Sequence, residues 1–124
     1  MIDFNNKPIL KFKSEPIDEG NDMVSELLIE NEHTVACFAS MREKLIFTNK
    51  RLITLIRMGI GGNKIDYTSL PYQNILAFSI ETHSGFDNHS ELEIVIKDLG
   101  IIKFELKGDA DIQELSRLIA KHIL

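Results

Sequence analysis

The 124-residue sequence contains little cysteine, proline or glycine, and each scarcity excludes a class of protein. Its single cysteine, Cys37, excludes an internal disulfide and agrees with a reducing compartment. Three prolines and seven glycines, among 44% hydrophobic and 27% charged residues, are typical of a packed domain and not of a disordered chain. No apolar run approaches the ~18 residues that cross a bilayer, and residues 1–4 lack the basic start of a secretion signal. We therefore expect one soluble domain that is not secreted by that route.

Charge is unevenly distributed along the chain, although the net charge is only −5. Residues 1–32 contain three lysines or arginines against eight acids, residues 33–72 six against two, and residues 73–124 five against nine. A net-acidic protein is a poor nonspecific ligand for nucleic acid. The basic middle segment could bind an anionic partner or an acidic face of a neighbouring copy, or it could belong to a mixed, solvated surface.

Hydrophobic periodicity divides the chain into an N-terminal arm and one domain. Residues 1–20 contain two prolines and an acidic stretch that ends at Gly20, which predicts an extended or loosely docked arm anchored by Ile9, Leu10 and Phe12. Asn21 is the predicted cap of a short helix that continues to Ile29.

Beyond residue 32 the pattern is typical of an antiparallel β domain that ends in one helix. Turn residues recur every eight to twelve positions among short segments rich in Val, Ile, Phe and Thr. After Gly108, Asp109 or Asp111 is the predicted cap of an amphipathic helix that closes an open end of the sheet. The seven predicted strands are 33–40, 44–48, 51–57, 64–69, 75–82, 91–97 and 101–106.

Three sequence segments carry a family resemblance: FTNKRLI at 47–53, GNKIDYTSLPY at 62–72 and FSIET at 78–82. Together they resemble the bacterial PH (pleckstrin-homology-like) domain family, over residues 21–124. The resemblance implies two curved, nearly orthogonal antiparallel sheets closed by the C-terminal helix, a cytoplasmic location and ring-like homo-oligomers. It implies no defined biochemical function. The same segments also have a structural interpretation, since Asn49 suits a tight turn and Pro71 fixes a corner.

We predict a seven-stranded, PH-like β-sandwich or partly open barrel with a C-terminal capping helix. We predict that it acts in the cytoplasm as a noncatalytic, homo-oligomeric scaffold or protein-interaction module, with an unidentified protein as a further possible partner. We predict no catalytic residue, metal ligand or cofactor, and expect neither nucleic-acid nor membrane binding. The predicted interaction surface is basic and consists of Arg42, Lys44, Lys50, Arg51, Arg57 and Lys64.

A module that binds anionic lipid or a phosphate ligand is the first rival hypothesis. Its binding residues would be Arg42, Lys44, Arg57 and Lys64, which flank loops on one side of the predicted sheet. Against it, an apolar isoleucine stands two positions after Lys44, and an acidic residue lies in the loop where it would repel a phosphate.

A metal-dependent hydrolase is the second rival, with His83, Asp87 and His89 as ligands in a loop between two strands. The spacing matches no helical or paired-cysteine metal motif, so an exposed connection is the simpler interpretation. Nucleophilic catalysis by Cys37 is also disfavoured. His33 lies four residues away on the same strand, about 13 Å, and pairing with His122 requires a long-range approach.

Overall fold

The strands of this computed structural model form one curled, open eight-stranded sheet, which is flanked by two helices. The structure describes residues 1–6, 9–83, 88–108 and 111–124. The helices are α1 (Ile17–Val24) and α2 (Ile112–Ile123). The strands are β1 (Ile9–Glu15), β2 (Thr34–Ala39), β3 (Glu43–Thr48), β4 (Arg51–Met58), β5 (Lys64–Pro71), β6 (Ile75–His83), β7 (His89–Ile96) and β8 (Gly100–Lys107). The predicted mainly-β class with a C-terminal helix and a short N-terminal helix is confirmed.

The strand count is eight and not seven, because β1 lies in the segment that we predicted as an arm. The strand order is β5-β4-β3-β2-β1-β8-β7-β6, so β1 joins two antiparallel halves into one sheet. It runs antiparallel to β2 and parallel to β8, with Phe12 opposite Leu106. Phe12 is buried and the lysines on either side of it are exposed, which is the alternation of a strand, but the run lies between two prolines in a segment that we predicted as an arm.

The sheet has two free edges, β5 and β6, which are consecutive in sequence. A single 3-10 turn, Tyr72–Asn74, joins them, so the edges meet at one corner of the curled sheet. Tyr72 is fully buried there and its hydroxyl donates to the Thr48 carbonyl at 2.7 Å. The predicted corner at Pro71 is therefore confirmed.

The concave face of the sheet holds the main core and is closed by α2. Asp111 caps this helix by accepting a hydrogen bond from the Glu114 amide at 3.0 Å, as one of the two predicted caps. Three helix residues are buried in the core with the sheet's apolar side chains: Leu115, Leu118 and Ile119. Burial of this stripe explains why the final helix stays on the sheet.

The convex face of β2, β3 and β4 is covered by α1, which begins earlier than predicted. The helix starts after Pro16, whose fixed φ suits a helix entry, and ends at Val24 where we expected Ile29. Asn21 therefore lies inside the helix and accepts a hydrogen bond from Thr34 Oγ1 at 3.0 Å. Gly20 lies inside it as well, against Cys37. None of the described helices is long and apolar enough to span a membrane.

Candidate functional site

The six predicted basic residues lie at opposite ends of the β3–β4–β5 sheet half. Arg42 and Arg57 are neighbours, because the Arg57 amide donates to the Arg42 carbonyl at 2.9 Å, and Lys64 is opposite Met58 in the β4–β5 register. Lys50 and Arg51 lie in and after the β3–β4 turn, about 20 Å along β4 from Arg57. The six residues therefore do not form one contiguous patch.

Arg51 is committed to an internal ion pair with Glu32. Its Nε lies 2.9 Å from Glu32 Oε2 and its Nη2 donates to Oε1 at 3.0 Å, a bidentate arrangement around a carboxylate whose side chain is 0% exposed. Thr48 Oγ1 also donates to this carboxylate, at 2.7 Å. Burial alone raises the pKa of Glu32, but the hydrogen bonds from Arg51, the Ile29 amide and Thr48 outweigh burial and hold the pKa below 4.5. The geometry makes Arg51 a structural residue.

Lys44 is likewise occupied, on the convex face beside α1. Its Nζ lies 2.6 Å from Glu15 Oε1, and the Cys37 thiol donates to the same oxygen at 2.9 Å. Burial raises the pKa of Glu15, but these two hydrogen bonds lower it to a net value below 4.5. A phosphate ligand would have to displace Glu15 from Lys44, so the proposed four-cation phosphate site loses one of its members.

The remaining cations near one another are Arg42, Arg57 and Lys64, which we call the cationic end. Arg42 Nη2 donates to the Gly59 carbonyl at 3.2 Å and Arg57 Nη2 lies 3.9 Å from Met23 Sδ. Lys64 is exposed at the start of β5. The cationic end therefore adjoins one free edge of the sheet.

The free edge of β6, which we call the β6 edge, is unusually apolar. Residues 75–80 contain no charged side chain, Leu76 is 63% exposed and Ala77 is also exposed. A shallow depression of about 150 Å³ lies beside it, between Phe78 and Val95. Sequence patterning missed this feature, because the same apolar residues are expected in an interior strand.

The charge segments of the sequence correspond to the two halves of the sheet. Residues 34–71 form β2 to β5 and end at the free edge of β5, whereas residues 75–107 form β6 to β8 and include the β6 edge. The basic segment therefore includes one free edge strand, β5, and the acidic C-terminal segment includes the other, β6. Glu15 and Glu32 neutralise part of the basic half, which leaves its charge concentrated in Lys50 and the cationic end.

Of the predicted hydrolase ligands, His83 and His89 are brought together and Asp87 lies outside the described residues. The two histidines face each other across β6 and β7, with ring centroids 4.3 Å apart. A third side chain of ligand type, Glu91, lies beside the two histidines, and we did not predict it as a ligand. Its position could have been found from strand alternation, because Glu91 is two residues after His89 on the same face.

Cys37 is a buried thiol and not a nucleophile paired with histidine. Its side chain is 3% exposed and donates to Glu15, while His33 is exposed and precedes β2. His122 packs against Tyr72 with ring centroids 5.0 Å apart, and its Nδ1 lies 2.8 Å from the Leu118 carbonyl oxygen. The prediction that Cys37 is a small core residue is confirmed.

The folded protein should resist alkylation of this thiol. Burial raises the pKa of Cys37 far above its usual range, and the adjacent Glu15 carboxylate raises it further, so almost no thiolate forms near neutral pH. Iodoacetamide labelling followed by mass spectrometry should be about a hundredfold slower in the native protein than in urea. Equal rates in the two conditions would show that the thiol is accessible.

Comparison with known proteins agrees with this architecture. The family profile described as the bacterial PH domain matches residues 3–123, and the chain therefore belongs to the bacterial PH domain family. The match begins before β1, so it includes the strand that we predicted as part of the arm. The predicted resemblance to this family is confirmed.

Three proteins similar to this chain have names that give a fold or no function at all. The uncharacterised protein YjqA of Bacillus subtilis (strain 168) is 36% identical over 99 residues, which cover 78% of this chain and 79% of that protein. A DUF1696 family protein with a pleckstrin-homology domain from Shewanella loihica has a TM-score of 0.75 at 30% identity, over 93% of this chain and 99% of that one. A pleckstrin homology domain from Shewanella amazonensis has a TM-score of 0.61 at 31% identity, over 89% and 90% of the two chains.

Proposed function

We propose that this protein is a noncatalytic interaction module that assembles with further copies of itself through its free sheet edges. The β6 edge is the observation that carries this proposal. An edge strand presents unpaired backbone amides and carbonyls, and natural proteins usually protect such edges with charges, prolines or short strands. The β6 edge is nine residues long, its residues 75–80 are uncharged, and it exposes Leu76.

The free edge of β5 is the complementary surface in a neighbouring copy. It exposes Ile65 and Tyr67, and it begins at Lys64 in the cationic end. The β6 edge belongs to the acidic half of the sheet and contains Glu81. Contact between two different edges is heterologous, and such contacts either close into a ring or continue as a filament. The free thiol of Cys37 supports a cytoplasmic setting for this assembly.

Placing a lysine on the β6 edge should break this assembly. In Leu76→Lys, an ammonium group replaces an exposed apolar side chain at the contact, so pairing with the next copy would require its desolvation. We expect association to weaken by about tenfold or more. Light scattering after size exclusion, over a range of protein concentrations, should show the mass moving toward the 14.1 kDa monomer.

Ile9→Lys is the matched control, because Ile9 is 61% exposed and lies in β1, a central strand of the sheet that is separated from both free edges. It adds the same charge and removes a similar exposed area, so it should leave the assembly unchanged. A wild-type protein that remains at 14.1 kDa at high concentration and low salt contradicts self-association. Equal weakening by both variants would also contradict an interface at β6.

A further inference from the structure

Four side chains of metal-ligand type share one outer face of the β6–β7 hairpin. His83 is directly opposite His89, and Glu81 is directly opposite Glu91 in the next same-face pair. Because side chains two residues apart in a strand point to the same side, the four form a compact square. The imidazole rings are nearly parallel, with an interplanar angle of 8° and centroids 4.3 Å apart.

The ligand atoms of this square are close enough for one ion to bind them. Those of His83, His89 and Glu91 all lie within 4.8 Å of one another, and His83 Nε2 is 3.4 Å from Glu81 Oε1. Around a tetrahedral metal with bonds of 2.0–2.1 Å, neighbouring ligand atoms are about 3.4 Å apart. The stacked rings must therefore rotate and close by about 1 Å. The side chains of His83 and Glu81 are 40% and 68% exposed, so solvent gives them room to do so.

The surrounding charge also favours a cation. Glu81, Glu91 and Glu105 are directly opposite one another on three adjacent strands, and like charges in such positions repel. Two lysines offset part of this repulsion, because Lys103 Nζ lies 3.0 Å from Glu91 Oε2 and Lys107 is opposite His89 in the β7–β8 register. A metal ion on this face would bind the other oxygen of Glu91 or displace Lys103. Either arrangement reduces the repulsion along the row of carboxylates.

We propose that the β6–β7 hairpin binds one divalent transition-metal ion of the zinc type, through His83, His89 and Glu91 with Glu81 as the fourth ligand. Imidazole nitrogens favour zinc, nickel, copper or cobalt over magnesium and calcium, which prefer oxygen ligands alone. The ion would link the two strands at the end of the hairpin. This inference goes beyond the proposed assembly and does not depend on it.

Metal titration of the untagged protein tests the proposal. Zn²⁺ should bind at one ion per chain in competition with a chelating dye, and Co²⁺ should give the visible absorption of a low-symmetry site. His83→Ala and His89→Ala should each weaken Zn²⁺ binding by about tenfold or more, and Glu91→Gln by several-fold. Zn²⁺ should also raise the melting temperature of the wild type but not that of the double histidine variant.

Two matched variants separate ligation from general attraction. His33→Ala removes an exposed histidine elsewhere, and Glu105→Gln removes a carboxylate of the same row that is not a proposed ligand. His33→Ala should bind Zn²⁺ as the wild type does, and Glu105→Gln should weaken binding less than Glu91→Gln does, because Glu105 adds negative charge to the row but no ligand atom. The proposal is overturned if the double histidine variant binds Zn²⁺ normally, if millimolar Zn²⁺ does not bind, or if Mg²⁺ binds as tightly as Zn²⁺. Circular dichroism of each variant would establish that it is folded.

Discussion

Replacing Arg51 with methionine should lower the free energy of unfolding by about 2–3 kcal/mol, less than the cost of breaking a fully buried ion pair because the Arg51 side chain is 22% exposed. The loss arises because Glu32 keeps its buried carboxylate while its bidentate partner disappears. Arg51 also donates to the Leu27 carbonyl at 2.8 Å and to Ser69 Oγ at 2.9 Å, so the variant loses contacts both to the connection before β2 and to β5. Urea denaturation at neutral pH would measure the change.

Lys50→Met is the matched control, since Lys50 is exposed and adjacent in sequence. It should change stability by less than about 0.5 kcal/mol. Combining Arg51→Met with Glu32→Gln should recover part of the loss, because no buried charge is then left unpaired. If the Arg51→Met protein has normal stability but fails to assemble, Arg51 belongs to the predicted interaction surface and is not a structural residue.

The pH dependence of this deficit follows from the sign of the pKa change. In the wild type, hydrogen bonds hold the pKa of Glu32 below 4.5 despite its burial. The contribution of Glu32 to stability is therefore present above pH 4.5 and is lost as the pH falls through the folded-state pKa. Without Arg51, only the hydrogen bonds from the Ile29 amide and Thr48 oppose the effect of burial, so the pKa of Glu32 in the folded variant is higher than in the wild type. The difference between the two proteins should therefore shrink as the pH is lowered.

Local chemistry explains which parts of this fold could be predicted from sequence. Asn49 suited a tight turn, and it lies in the turn between β3 and β4, where Thr48 Oγ1 accepts hydrogen bonds from the Lys50 amide at 3.0 Å and the Arg51 amide at 2.9 Å. Asp98 and Gly100 both adopt positive φ in the tight turn between β7 and β8, which correspond to the predicted strands 91–97 and 101–106. The conformation of each of these turns depends on residues that lie a few positions apart in the sequence.

Long-range pairing explains what could not be predicted. Strand β1 pairs in parallel with β8, and Ile9 lies opposite Lys103. Parallel strands are not joined by a short turn, so nothing in the local sequence indicates this pairing. The partner of Arg51 is 19 residues away, in a segment whose acids were counted only as part of an acidic N-terminal region. The sequence therefore gives no basis for distinguishing one basic residue from another. In the fold, Lys44 and Arg51 form internal ion pairs, whereas others remain at the cationic end.

Gly20→Ala should destabilise the protein by about 1–3 kcal/mol even though alanine is the better helix former. At Gly20, α1 lies directly against Cys37 of β2. A Cβ at this position would overlap Cys37 Sγ, and it would lie 2.9 Å from Cys37 Cβ and 3.6 Å from Ile46 Cγ1. The helix would have to move away from β2, which would open the small convex core of Val24, Cys37, Ile46 and Ile53. Thermal and urea unfolding would measure the loss.

Asp22→Gly separates this steric effect from helix propensity. Asp22 is exposed in the same helix, so its replacement should cost only the ~1 kcal/mol or less expected of a helical glycine. Cys37→Ala should recover much of the Gly20→Ala loss, because it removes the overlapping sulfur, although the remaining Cβ–Cβ contact stays short. If Gly20→Ala instead stabilises the protein, α1 does not pack this closely on β2 in solution. The Glu15–Lys44 pair, which flanks the same contact, would then also be more exposed than its geometry indicates.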